Sequence, residues 1–479
     1  MHQLTTIKAY EELSGDHALT PAEQNLIAAC RLGQPCTLSN TRPESPTPDT
    51  QIRATLLRLL IVGGSADCGL PDSGVSLHGA YITDTLNLDF ATARGATSLN
   101  ACTFFATPHL MQAHLRYLSL EESQMPGLMA QGMVVDGPVL LRKIVASAKV
   151  DVSSAQITGP LDCDGASFDG QAKVPNIVNL AFTARQTKVK QGFIWRNIKT
   201  IQGTIGVNSA HVGALVDDLD SWPDQVDQVI LEGFVYDHLT FAPTDAKVRI
   251  DWLRKGANRF GTFYPQPYTQ LAKVLSNMGH AREARLVLME REHLLAADLL
   301  HRHRKECKKA CKGDPVEKGD SGWIWLLMQG ARLWSGMIHQ FAGYGYAPQR
   351  ALYWSLALTL ISTVLFFIAY RQGWMVPSSA IVLTSPDWLA AYQADPVRPA
   401  LHWSGAAATH YETFYALPYA FDVYLPIVDL GYSSTWGQTT TTWPGTLLRG
   451  WTLLLQAAGY IITGLGLAAI TGLIQRDRS

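Results

Sequence analysis

Residues Leu110 to Ala155 read "LMQAHLRYLSLEESQMPGLMAQGMVVDGPVLLRKIVASAKVDVSSA", and an apolar residue recurs at every fifth position. The row is Leu110, Leu115, Leu120, Met125, Ala130, Val135, Leu140, Val145, Val150 and Ala155. A period of five fits neither an amphipathic helix nor a half-buried strand. It fits the side of a square coil, in which each side turns one apolar side chain inward and each coil hydrogen-bonds its backbone to the next. Local similarity extends the pattern: "GAYITDTLNL" (Gly79 to Leu88) resembles "SAQITGPLDC" (Ser154 to Cys163), and Gly137-Pro138 matches Gly159-Pro160. The spacing predicts a right-handed quadrilateral, pentapeptide-like β-helix from about Val75 to Phe241, in a repeat domain at 65–245. A β-sandwich with evenly spaced turns is the competing reading.

The flanks of this rod are helical in pattern. Thr20, Pro21 and Glu23 match a capping box with proline at the first helical position, and after Asp49 the residues Ile52, Leu56, Leu59 and Leu60 share one face, bounded by Gly63 and Gly64. These two helices form a cap at 1–64 that covers the open end of the coil stack, whose strands would otherwise invite pairing. Beyond the rod, at 246–320, Tyr268, Leu271, Leu275 and Met278 lie on one helical face, Gly279 interrupts it, and Ala281, Ala284, Leu288, Arg291 and Leu295 continue on a second. The pair reads as a helical hairpin. A single tetratricopeptide-like unit is the alternative.

Charged residues make up 16 % of the 479, fewer than in ordinary soluble domains, and the formal net charge of -1 argues against a chain built throughout for nucleic acid. The amino terminus lacks a charged start followed by an apolar core, so no cleaved secretory signal is expected. Seven scattered cysteines form no disulfide framework and are read as free thiols of a reducing compartment. Ala351 to Tyr370 and Gly450 to Gln475 are uncharged runs long enough to cross a bilayer, so 351–479 reads as a transmembrane domain with spans 351–370 and 450–475. Cations cluster before the first span and after the second, which predicts both termini in the cytosol. Gly459, Gly464, Gly466 and Gly472 would let helices approach closely in an oligomer. The aromatic segment 321–350 reads as an in-plane interfacial helix.

Two segments carry candidate functional residues. "HRHRKECKKACK" holds Arg302, Arg304, Lys305, Lys308, Lys309 and Lys312, a basic stretch suited to anionic lipid head groups. Zinc held by His301, His303, Cys307 and Cys311 is the sharper alternative, disfavoured by the surrounding positive charge. Between the spans, "YALPYAFDVYLPIVDLGYSSTW" (Tyr415 to Trp436) is apolar yet carries Asp422, Asp429, Pro426 and Tyr432. Acids at membrane depth are functional candidates, and a ring of Asp429 side chains would favour cations. Two readings stand for this segment: a re-entrant pore loop, or an amphipathic helix on the outer surface with both acids in water.

The order of "LTPAE", "IRATLLRLL", the "GAYITDTLNL" coils, "YPQPYTQLAKVLSNMGHAREARLVL", "GYGYAP" and "YALPYAFDVYLPIVDLG" resembles a bacterial family of membrane-associated pentapeptide-like repeat proteins. Members often carry the label "membrane-associated oxidoreductase". The resemblance implies a mixed fold of capped β-helix, helical linker and two-span membrane domain in a bacterial inner membrane, and it brings no catalytic residues. The chain itself has no G-x-G-x-x-G after a strand, no P-loop, no H-E-x-x-H helix and no nucleophile elbow, so a cofactor-free, non-enzymatic protein is expected. Two expectations follow: a β-helix sensor with an unidentified cytosolic ligand, coupled to an oligomeric and cation-conducting membrane module that suits a phage-defence effector by analogy of architecture, or a membrane-anchored scaffold without a pore.

Overall fold

The computed structural model describes residues 18–65, 68–69, 72–170, 179–225, 228–256, 258–259, 262–313, 330, 336–341, 343–347, 349–425 and 429–471. It contains two compact units, Met1–Asp298 and Leu299–Ser479.

The first unit is a parallel β-helix with four strand stacks. In one coil the sides are Leu118–Ser119, Gln124–Met125, Leu128–Met129 and Val134–Val135. Each pairs in parallel with the coils before and after it: Leu118 lies opposite Thr97 and Val139, and Gln124 opposite Thr103 and Val145. Val139 in turn lies opposite Leu161, so a coil takes 21 or 22 residues. One side forms a seven-stranded stack from Gln51–Arg53 to Thr200–Gln202, and another a five-stranded stack from Leu128–Met129 to Val229–Ile230. The remaining two sides are joined into one sheet by the long strand Lys188–Trp195, which rounds a corner with a register shift between Val189 and Gly192.

The inward positions explain the period of five and where it slips. Leu118, Leu120, Ser123, Met125, Leu128, Ala130, Met133 and Val135 are all buried, at alternating steps of two and three. The next step, to Val139, is four, and Leu141, Ile144 and Ala146 follow inward. One side in that coil therefore has six residues. The fivefold row falls out of phase there: Leu140 is half-buried and Val145 is exposed, whereas Val150 and Ala155 are buried as the other member of each inward pair. Corners are tightened by left-handed residues, among them Gln112, Glu122, Gly132, Lys143, Ser154 and Gly165. Non-glycine residues there are mostly short or polar and point to solvent.

Both ends of the stack are closed. Helix α1 (Pro21–Leu32) begins with the expected box: Thr20 Oγ1 accepts from Glu23 N–H, and Glu23 Oε2 accepts from Thr20 N–H. The fully buried Glu23 also accepts from Arg53 Nε at 2.8 Å, which ties α1 to strand Gln51–Arg53. Helix α2 (Ala54–Ile61) adds Leu56, Leu57 and Leu60 to the same core. At the far end, helix α3 (Ala246–Gly256) is held by the buried pair Arg249–Asp217, in which both guanidinium nitrogens meet the carboxylate at 2.6 and 2.9 Å and Trp222 Nε1 donates to the same acid. Helix α4 (Gln266–Asn277) lies on the last coil and satisfies its backbone: Gln266 accepts from Gly233 N–H and donates to Phe234 O, and Gln270 donates to Tyr236 O at 2.7 Å. An open sheet edge is a template for aggregation, and these side-chain amides occupy it. Gly279, at φ +88°, turns the chain into helix α5 (Ala281–Gly313), whose Ala284 and Val287 join the same core.

Four cysteines, Cys30, Cys36, Cys102 and Cys163, are buried free thiols. Burial pushes Cys36 up to about 11 and Cys102 up to about 12, so both stay protonated and unreactive at neutral pH.

The second unit contains two helices long and apolar enough to cross a membrane. Helix α6 (Gln349–Arg371) and a later helix each pass on length and composition, with mean hydropathy 2.0 for α6 and 1.4 for the later one over Trp443–Ala468. Between them, among the described residues, come five short helices, the hairpin helix α7 (Ala416–Tyr424) and a two-stranded ribbon pairing Met375–Pro377 with Trp436–Gln438. The later helix is α8 (Trp443–Ile470). Most of the α6 surface is exposed and large, including Leu352, Leu356, Leu360, Ile361, Val364 and Phe367. An apolar surface of that extent on a helix of that length makes α6 a candidate membrane span.

Candidate functional site

The Tyr415 to Trp436 segment is not a free-lying helix. Helix α7 runs antiparallel along α6: the Phe414 ring stacks on Tyr370 at 4.8 Å, Tyr419 meets Phe366 edge-on at 4.8 Å, and Tyr424 shares a 2.6 Å hydrogen bond with Ser355. On its other side α7 meets α8. Gln438 Nε2 donates to Tyr419 OH at 2.7 Å and to Thr452 Oγ1 at 3.0 Å, and the Tyr424 carbonyl sits against Gly459, where any side chain would collide with it. Trp451 of α8 donates directly to Ser362 of α6 at 3.1 Å. The sequence permits this because α6 carries Ser355, Thr359 and Ser362 on one face, and α8 carries Thr452 and Gly459. Ser355 and Thr359 also bond back to carbonyls one turn earlier, so their polar groups are satisfied within apolar surroundings.

From the Trp443 end, Gly459 lies about 24 Å along α8, and from Arg371 the Ser355 contact lies about 24 Å along α6. The hairpin thus descends most of the length of both helices and returns. Its return is fixed at the starting end by Trp436, whose ring lies in a cluster with Tyr370, Tyr411 and Phe414 and whose Nε1 donates to Glu412 O at 2.9 Å.

Asp422 is the latch of this hairpin. It is 7 % exposed and accepts backbone N–H bonds from Leu430 at 2.5 Å and Ser433 at 2.7 Å, closing the turn across eleven residues. Asp429 is different: it is exposed, and its bond is a local one from Gly431 N–H at 2.9 Å. Tyr432 opens the one-turn helix Tyr432–Thr435 on the return arm and is half-buried. Pro426 lies outside the described residues. Asp422 and Asp429 therefore share a hairpin but not an environment. Sequence reading singled out both acids, and Gly459 as a point of close helix approach, and missed the other polar supports of the hairpin, Ser355, Thr452 and Gln438. The hydroxyl face of α6 was the available signal, whereas the Gly459 contact depends on which helix lies beside it.

The basic stretch lies on α5. Arg302 is exposed there, and the side chains of Arg304, Lys305, Lys308, Lys309 and Lys312 lie outside the described residues, as do those of His303, Cys307 and Cys311. Of the expected interfacial segment, residues 336–341 are helical, and Ile338 and Phe341 pack on Leu465 of α8. Gly466 fits against Ala351 of α6, Gly464 has open space beside it, and Gly472 lies outside the described residues.

The geometry is that of a parallel β-helix and a separate unit of two candidate membrane helices with a hairpin wedged between them. No family model, no curated protein and no solved structure matches this chain.

Proposed function

We propose that this chain is a non-enzymatic membrane receptor, in which a cytosolic β-helix binds a ligand and an oligomeric module of α6, α8 and the α7 hairpin passes cations. The observation that carries the reading is Asp429. If α6 and α8 span the bilayer, an exposed carboxylate on the hairpin turn, next to the buried Asp422 latch, stands well inside the hydrocarbon. A charge at that depth is tolerated only beside water or a partner, which copies of the chain around a polar path would supply. The cations before α6 favour a cytosolic β-helix and anchoring to anionic lipid. The resemblance to bacterial membrane-associated repeat proteins supports an inner-membrane location, and the coupling of a sensing rod to a small membrane module suits a defence effector by architecture.

A membrane-anchored scaffold without a pore is the second reading. It is favoured by the packing of Tyr419, Ala420, Val423 and Tyr424, which fills the crevice between the two helices within one chain.

Ion release from liposomes containing the full-length protein, beside Asp429→Ala at equal incorporation, separates the two. Flux that Asp429→Ala abolishes or makes less cation-selective is the expected result. Absence of flux, with and without a membrane potential and cell extract, would sink the pore and leave the scaffold.

A further inference from the structure

The receptor reading leaves the ligand unnamed, and the charge distribution of the β-helix points to its chemistry. Residues 179–216 carry Arg185, Lys188, Lys190, Arg196 and Lys199 and no acid, whereas 200–246 carry acids and no Lys or Arg. Adjacent coils of opposite charge would be expected to neutralise each other. Among the described residues they form no Lys or Arg ion pair with each other: Arg196 pairs instead with Asp164 of the preceding coil at 3.0 Å, and neither Lys188 nor Lys190 has an ion-pair partner.

Both lysines line a cleft of about 490 Å³ on the side built from Val134–Val135, Gln156–Ile157, Lys188–Trp195 and His211–Asp217. The cleft has a structural origin. The register shift between Val189 and Gly192 sets Lys190 and Gln191 against the single residue Gly213 of the next strand, where a Cβ would stand 2.5 Å from Gln191 O. Bulges re-aim side chains, and this one falls at Lys190 and Gln191. His211 pairs with Lys188 on the next strand and lies 3.6 Å from Asp237, and Asp136 also lines the cleft.

We propose that this cleft binds a small phosphorylated compound that also carries hydroxyl or amino donors, a nucleotide or sugar phosphate by class. This deepens the receptor reading and rests on it. Lys188, Lys190 and His211 supply donors for the phosphate, since ammonium groups bind phosphate as point charges. Asp136, Gln156, Thr158 and Asp237 offer acceptors for the donor-bearing part. The two acids restrict the positive surface to one small region, which disfavours a nucleic-acid backbone or a lipid surface, both of which need a broad basic face. The volume falls within the usual range for small-molecule sites.

The test is calorimetric titration of the full-length protein in detergent with ADP and, separately, inorganic pyrophosphate. ADP is expected to bind saturably, and Lys188→Gln with Lys190→Gln to weaken it at least tenfold, while Lys143→Gln, on another face, leaves it unchanged. Asp136→Asn with Asp237→Asn is expected to weaken ADP but not pyrophosphate. These side chains point to solvent, and an unchanged circular dichroism spectrum confirms that each variant folds. No saturable binding, binding indifferent to the lysines, or equal lysine-dependent binding of duplex DNA or phosphatidylserine vesicles would overturn the proposal. Binding is read in detergent and flux in liposomes, so loss of one leaves the other standing as a separate result.

Discussion

The two units use similar apolar residues in opposite directions. In the β-helix, Leu118, Leu128, Val135, Ile144 and Phe168 point inward and are almost wholly buried, while Glu122, Lys143 and Arg142 face out. In the second unit Leu352, Leu356, Val364, Leu453 and Leu454 point outward, and the inward positions hold Ser362, Thr359, Thr452 and Asp422 beside Phe366, Tyr419 and Tyr424. The difference teaches what each unit is suited to: the first to water, the second, with its two candidate membrane spans, to a bilayer. In water, burial of apolar area is worth about 25 cal/mol per Å² and drives the coil together. In hydrocarbon that force is absent, and close contacts, hydroxyl bonds and a capped carboxylate hold helices instead.

The sharpest way to break this contrast is at its exception, the buried ion pair of the β-helix. Asp217→Ala strands Arg249 and the Trp222 indole without their acceptor, and breaking such a pair costs about 3–5 kcal/mol. The expected result is a large fall in the melting temperature of the rod, with α3 released first to proteolysis. A melting temperature within a degree of the parent would show that the pair is not holding α3.

Next in size is the latch. Asp422→Ala removes the acceptor of two backbone N–H groups, each worth about 1–3 kcal/mol when left unmet in a buried site. Maleimide labelling of Val423→Cys, a buried position on α7, should rise strongly in the Asp422→Ala background and little in Asp429→Ala. Equal labelling in the two would contradict the separate environments seen for the acids.

The smallest effect lies in pH. Burial alone would raise the Asp151 carboxyl, but bonds from Lys149 and Ser153 outweigh it and hold the group below its usual range. A depressed pKa means that the native state favours the charged form, so its contribution is present above the unfolded value and is lost as pH falls from about 4 through the folded value. Asp151→Asn should therefore reduce rod stability at pH 7 and narrow the gap to the parent in acid. A gap that widens in acid would reverse the assignment.

Legibility followed the range of the interactions. The period of five is local, and even its slip at Val139 has a local cause, a six-residue side, although nothing in the row of Leu140 and Val145 announced it. The capping box at Thr20 and the turn at Gly279 were likewise readable, because the groups concerned lie within a few residues. The far cap was not. Asp217 and Arg249 are 32 positions apart, and Gln266 and Gln270 find their acceptors across a similar span. The candidate site divides the same way: Asp422 and Asp429 stood out as acids in an apolar run, but their different surroundings did not.

The sequence by itself determined the repeat rod, its helical flanks and two stretches able to cross a bilayer, because periodicity and hydropathy are properties of consecutive residues. Only the tertiary structure decided that α7 lies between α6 and α8, that Asp422 closes the hairpin while Asp429 stays exposed, and that Gly459 is where the hairpin fits. Those outcomes depend on which surfaces meet, and a carboxylate's role is set by the N–H groups that reach it rather than by its neighbours in the chain.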